Sequence, residues 1–284
     1  MSAVILEKNG KEASADGWQA HLELQYENQA GRTILSKRSH HGPLLVQRPF
    51  YPEAPVCHSY IIHPPGGIAG GDQLQIDVQV AGGAHALLTT PASGKFYNSL
   101  HKPSSMQQNL SVANGAKLEW LPQDNIFFED SRSITQTQIR LHGDAVFIGW
   151  EIVCLGRPFS DQTFRGDCIQ KLVLQRDGIN RYIDRTVLQA NEPVLSSRWG
   201  LNAYTVSATM LATPACEDEL IRLRDAFKQS SNFEFSATLL DDILVCRFLG
   251  HHGAQAREVF EQAWTLIRPA VMGRKACAPR IWKT

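Results

Sequence analysis

Along most of this chain hydrophobic side chains recur at every second position. Leu22, Leu24 and Tyr26 alternate with polar residues, and Leu74, Ile76, Val78 and Val80 extend the same rhythm, so each run reads as a strand with one buried face. Leu110 and Val112 lead through Asn114-Gly115 to Leu118 and Trp120, while Leu172 and Leu174 lead through Asp177-Gly178 to Ile179. Both dipeptides suit a hairpin turn, so two hairpins are predicted there. Phe233, Phe235, Ala237 and Leu239, then Asp241-Asp242, then Ile243, Val245 and Phe248 predict a further strand pair. Two segments change period. Glu217 to Gln229 sets Leu220, Leu223 and Phe227 at helical spacing behind an acidic first turn, which favours a helix N-terminus. Ala254 to Ala270 carries the stronger stripe, Val259, Phe260, Ala263, Trp264 and Ile267, with Pro269 marking its predicted end. The expectation is a mainly β body with a small C-terminal helical element. No low-complexity linker or short internal repeat divides it, so residues 1–284 read as a single domain.

The densest punctuation is HPPGGIAGGD, His63 to Asp72, which concentrates Pro64, Pro65, Gly66, Gly67, Gly70 and Gly71 in one loop. Gly66 and Gly71 have phosphate-loop spacing, yet Asp72 and Gln73 stand where Lys and Ser or Thr would hold phosphate and magnesium. A carboxylate there repels a phosphate, which removes the nucleotide reading. The balance of 28 basic against 28 acidic residues likewise removes the broad electrostatic footprint of a nucleic-acid binder. The first residues lack a basic flank before an apolar core, and no run of about eighteen apolar residues occurs, so a soluble cytoplasmic protein without a membrane span is expected. Six scattered cysteines without a C-x-x-C pair argue against structural zinc or a disulfide scaffold.

Candidate chemistry gathers near the glycine loop. Cys57, His58, His63 and Asp72 offer thiolate, imidazole and carboxylate donors, a set suited to nickel, copper or zinc rather than magnesium or calcium. An extended chain places His58 and His63 on opposite faces, which weakens a shared site. No G-x-S-x-G nucleophile elbow occurs, and Glu119, Glu129 and Glu151 read first as solvated strand residues. Glu151 is the exception, because FIGWEIVCLGR is the most apolar stretch and a buried carboxylate there needs a partner or a function. Two classes stay open on these residues: a metal-dependent enzyme on a β scaffold, which requires a compact ligand set, and a simple nickel-binding protein, which calls for a histidine-rich tract. Ten dispersed histidines form neither.

Six blocks in order carry a resemblance. GPLLVQRPFYPE (Gly42 to Glu53), HPPGGIAGGD, LLTTPASGKFYNS (Leu87 to Ser99), LEWLPQDNIFFED (Leu118 to Asp130), WEIVCLGRPFS (Trp150 to Ser160) and PRIWKT (Pro279 to Thr284) resemble the signature blocks of the urease accessory protein family UreD, also called UreH. The resemblance implies a β-helical body with a small helical part, superseding the hairpin picture. It also implies a scaffold and not an enzyme. Such a metallochaperone acts with UreF and the GTPase UreG on apo-urease, with UreE as indirect nickel donor and two copies joined through UreF. No cofactor is expected to bind tightly. Nickel in transit is expected to follow an internal water-filled passage with weak contact points, since a tight cage would trap its cargo. His58, His63, Asp72, Glu151 and Asp184 are the candidate passage residues, Asp184 standing where the resemblance leads one to expect glutamate.

Overall fold

The computed structural model describes residues 17–99, 102–157, 163–229 and 232–283; the N-terminal stretch read above for a leader lies outside them. In chain order the strands are β1 (Gln19–Gln29), β2 (Arg32–His41), β3 (Leu45–Val46), β4 (Cys57–Ile62), β5 (Gln73–Val80), β6 (His85–Thr89), β7 (Gly94–Phe96), β8 (Ser104–Val112), β9 (Lys117–Trp120), β10 (Asn125–Phe127), β11 (Arg132–Leu141), β12 (Val146–Leu155), β13 (Asp167–Arg176), β14 (Ile179–Gln189), β15 (Val206–Thr213), β16 (Glu234–Leu240) and β17 (Ile243–Gly250). The helices are α1 (Pro193–Ser196), α2 (Glu217–Phe227) and α3 (Gly253–Val271).

The chain winds as a β-solenoid. One sheet runs β14-β13-β11-β8-β5-β1-β2, with β1, β5, β8, β11 and β13 parallel and the antiparallel strands β2 and β14 closing its edges. In the opposite sheet β4, β6, β9 and β12 are parallel, and β15, β17 and β16 add on antiparallel. The short strands β7 and β10 pair with each other, and β10 pairs with the distal end of β12, forming a third side in two successive coils. Each sheet turns one face to the shared interior, which is the alternating burial of β1 and β5.

This winding corrects one expectation. Asp177-Gly178 does turn a hairpin, from β13 into β14. Asn114-Gly115 instead forms a solenoid corner between β8 in one sheet and β9 in the other, with Gly115 at φ 72°. The strands leaving that corner are held by the preceding coil: Ala113 N–H donates to Val80 O at 2.9 Å and Lys117 N–H to Ala84 O at 2.9 Å. A turn dipeptide reports the local reversal, whereas the partner of each strand is decided by the neighbouring coil.

Two hydrophobic layers follow. Leu24, Val78, Leu110, Leu118 and Phe147 fill the space between the sheets, and Ile148, Trp150, Met210 and Cys246 face the other way, onto Phe260, Trp264 and their neighbours from the helices. The second sheet is thus covered on both faces, which explains the unbroken apolar run of β12. Helix α2 and the buried face of α3 match the periodicity. Pro269, however, sits inside the last turn of α3 and does not end it. Beside it, Arg268 is anchored by the Glu119 and Glu53 carboxylates and the helix continues to Val271.

Candidate functional site

The interior of the solenoid is not filled throughout. On β12, Phe147 and Val153 point into the inter-sheet layer, and Glu151, with the same alternation, points there too. Its carboxylate accepts a short hydrogen bond from the Thr137 hydroxyl of β11 across the interior. Burial raises the Glu151 carboxyl, the Asp184 charge adds to the rise, and the Thr137 bond opposes it; the outcome is a value of about 7. A half-buried carboxyl raised to the middle of the physiological range on the inward face of a strand is unusual, and it is where a site is sought.

Three cavities share Glu151 as a wall residue. The largest, about 440 Å³, lies between the glycine loop and the Thr90–Lys95 segment and is lined by His63, Pro64, Gly66, Gly67, Ser93, Gln108 and Trp120 among others. It has room for several waters. A second, about 30 Å³, places Glu151 with Gln170, Asp184, Thr209 and Arg247, and a third, about 10 Å³, places it with Thr137 and Trp120. Arg247 pairs with Asp184 at 2.8 Å and donates to the Tyr182 hydroxyl at 2.8 Å. Three of the residues singled out by sequence are therefore linked through these spaces: His63 and Glu151 in the first, Glu151 and Asp184 in the second. Burial lowers the His63 imidazole, with the Asp72 charge opposing. A half-buried imidazole and a half-buried carboxyl are donor types that a borderline metal ion accepts.

The glycine loop is built by Asp72. Its Oδ1 accepts the Trp18 N–H at 2.8 Å and its Oδ2 accepts the Ala69 N–H at 2.8 Å, which ties the loop to β1 and β5. Gly66 and Gly71 take φ of 79° and 90° at its two turns. Gly67 and Gly70 leave space: a Cβ on Gly67 would fall 2.0 Å from the Tyr97 ring, and one on Gly70 would fall 2.9 Å from the Lys102 carbonyl oxygen. Asp72, Pro65, Gly70 and Gly71 are absent from the walls of these cavities.

His58 lies elsewhere, on the helical side of the second sheet, in a network that the sequence did not announce. Arg268 of α3, fully buried, donates to both oxygens of Glu119 at 2.9 Å and to Glu53 at 2.9 and 2.5 Å, and also donates to the Lys275 carbonyl. His85 meets Glu119 at 2.7 Å, the Trp264 indole N–H donates to Glu119 at 2.6 Å, and His58 meets Glu53 at 2.9 Å. Burial alone would raise Glu119, but His85 and Arg268 outweigh it and hold the carboxyl at about 2. Glu119 is thus not a solvated strand residue; it is fully buried. The alternation of β9 puts Leu118 and Trp120 inside and Glu119 under α3, and only the packed helix supplies its partner. Among the described residues no three His, Cys, Asp or Glu side chains assemble into a metal-holding group, so the local set Cys57, His58, His63 and Asp72 does not converge. Four of the cysteines, Cys57, Cys154, Cys168 and Cys246, are buried and unpaired.

Comparison with known proteins places the chain in a family. The family model described as UreD urease accessory protein matches residues 19–283. A urease accessory protein UreD from Azoarcus sp. (strain BH72) is 41% identical over 274 residues, covering 96% of each chain. One from Alcanivorax borkumensis is 41% identical, covering 94% of this chain and 93% of its own, and one from Janthinobacterium sp. (strain Marseille) is 43% identical, covering 94% and 92%. These relatives are named accessory proteins, not enzymes. A family match over residues 19–283, together with relatives about 40% identical along nearly their whole length, shows that this chain belongs to the UreD urease accessory protein family.

Proposed function

We propose that this chain is a urease maturation factor: a scaffold in the cytoplasm that links UreF and the GTPase UreG to apo-urease while nickel supplied through UreE is inserted in a GTP-dependent step. Family membership supports the accessory role. The observation that carries the reading further is Glu151, a half-buried carboxyl on the wall of three cavities, with His63 on one side and Asp184 on the other. In this reading nickel is cargo. It meets these three residues in turn, each contact weak enough to release it. Asp72 and His58, whose side chains are engaged by backbone and by Glu53 respectively, hold the loop and the sheet instead. Two copies, joined through UreF, form the working assembly. No tightly bound cofactor belongs to this scheme.

The test is activation of purified cognate apo-urease by UreF, UreG, GTP, bicarbonate and nickel, with this protein present or omitted. Ureolysis that depends on its presence is the expected result; activation that is unchanged by omission refutes the proposal. Glu151→Ala is expected to assemble with UreF and UreG yet slow activation at limiting nickel. Wild-type activation by that variant refutes the assigned route while leaving the scaffold role standing.

A further inference from the structure

The outer face of the β13–β14 hairpin carries three successive cross-strand rungs: Ile169 opposite Val187, Lys171 opposite Arg185, and Val173 opposite Ile183. The intervening Cys168, Leu172 and Leu188 are buried in the interior, so the alternation turns these six away from the core; Ile169 and Val187 are half-buried there, whereas Val173 is covered and buried. Ile183 is 58% exposed, and Lys171 and Arg185 are both exposed. Among the described residues neither cation has a hydrogen bond or ion pair. The acidic groups nearby are committed elsewhere: Asp167 on the same face pairs with Arg132 at 3.8 Å, Asp241 pairs with Arg181 at 2.8 Å, and Asp184 points inward to Arg247 at 2.8 Å.

Two like charges directly opposite each other on paired strands destabilise the isolated chain, and aliphatic rungs on both sides deepen the conflict by lowering the local polarity. We infer that this face docks a partner protein segment presenting a carboxylate side chain flanked by aliphatic ones. The carboxylate enters between Lys171 and Arg185, and its neighbours cover Ile183 on one side and the Ile169–Val187 rung on the other. Charge complementarity selects such a segment, because a neutral or basic one leaves the cation pair unrelieved. The inference rests on the scaffold reading, which supplies protein partners.

The experiment measures dissociation constants of UreF, UreG and apo-urease, each purified, for wild type, Lys171→Glu and Ile183→Ser, with the melting temperature of each variant. Lys171→Glu is expected to bind one partner at least tenfold more weakly while melting at or above the wild-type temperature, since the substitution turns a repulsive rung into an ion pair. Ile183→Ser is expected to weaken the same partner with no change in charge, and wild-type binding is expected to fall as salt rises from about 50 to about 300 mM. Unchanged affinity of both variants for all three partners overturns the inference and leaves the cations as guards of an exposed sheet edge. A wild-type chain that binds none of the three overturns the scaffold reading along with it.

Discussion

Replacing Arg268 with Met keeps the length of the side chain and removes its charge from the most heavily bonded group under α3. The guanidinium bridges two carboxylates, Glu119 at 2.9 Å and Glu53 at 2.5 Å, with both its own side chain and that of Glu119 fully buried. Breaking a buried pair from one side costs about 3–5 kcal/mol, because the carboxylate left behind stays desolvated. Unfolding entropy of about 2 cal/mol/K per residue converts this, for a chain of 284 residues, into a melting temperature roughly 5–8 °C lower. The pH dependence gives an independent reading. Glu119 sits at about 2 when folded against an ordinary 4.5, so its contribution is complete above about pH 4.5 and is lost as pH falls towards 2. At about 1.4 kcal/mol per unit, that difference amounts to about 3 kcal/mol. Arg268→Met returns the Glu119 carboxyl part of the way up, with His85 still in place, and so flattens this acid limb. Tryptophan fluorescence during thermal unfolding between pH 7 and pH 3 follows both effects. Glu119→Leu combined with Arg268→Met is expected to recover about 2 kcal/mol relative to Arg268→Met alone, since the apolar pair leaves less charge uncompensated. A single variant that melts within about 2 °C of wild type and keeps the full acid limb refutes the argument that this network pins α3 to the sheet.

Other expectations follow from the interior and the loop. Glu151 has a folded value of about 7, above its ordinary 4.5, so its contribution is complete below about pH 4.5 and is lost as pH rises through 7. Glu151→Gln is therefore expected to be more stable than wild type at pH 8, by up to about 3 kcal/mol at 1.4 kcal/mol per unit, with the advantage vanishing near pH 4 in urea titrations. Asp72→Ala removes the acceptor of two backbone N–H groups, and a loss of about 1–3 kcal/mol is expected, with faster hydrogen exchange at Trp18 and Ala69; unchanged exchange there contradicts its role as the loop tie. Gly70→Ala places a methyl group 2.9 Å from the Lys102 carbonyl oxygen and 3.0 Å from Ser99 Cα, backbone neighbours that cannot swing aside, so the variant is expected to melt several degrees lower.

Period-two patterning legibly encodes most strands, because each buries one face against the interior and the alternation of Leu22–Tyr26 or Leu74–Val80 is the direct trace of that burial. The stripe of α3 was equally legible, since Phe260 and Trp264 must leave water wherever the helix docks. The sequence blocks also sufficed to identify the family, and His63 and Glu151 were visible as candidates from loop chemistry and from a carboxylate in an apolar run. Only the tertiary structure decided which strands pair. Asn114-Gly115 turns a corner rather than a hairpin because the preceding coil, 30 or so residues away, takes up the backbone bonds of β9. The same holds for the polar groups. Glu119 and Arg268 stand 149 positions apart, so nothing local distinguishes Glu119 from a solvated strand residue until α3 covers it. Likewise His58 and Asp72 resemble His63 and Glu151 as potential ligands in sequence, and they differ only in what the folded chain places against them: Glu53 and backbone amides for one pair, open interior space for the other. Local chemistry sets what a side chain can do, whereas burial, partner and access arise from contacts between distant segments, and these exist only after folding.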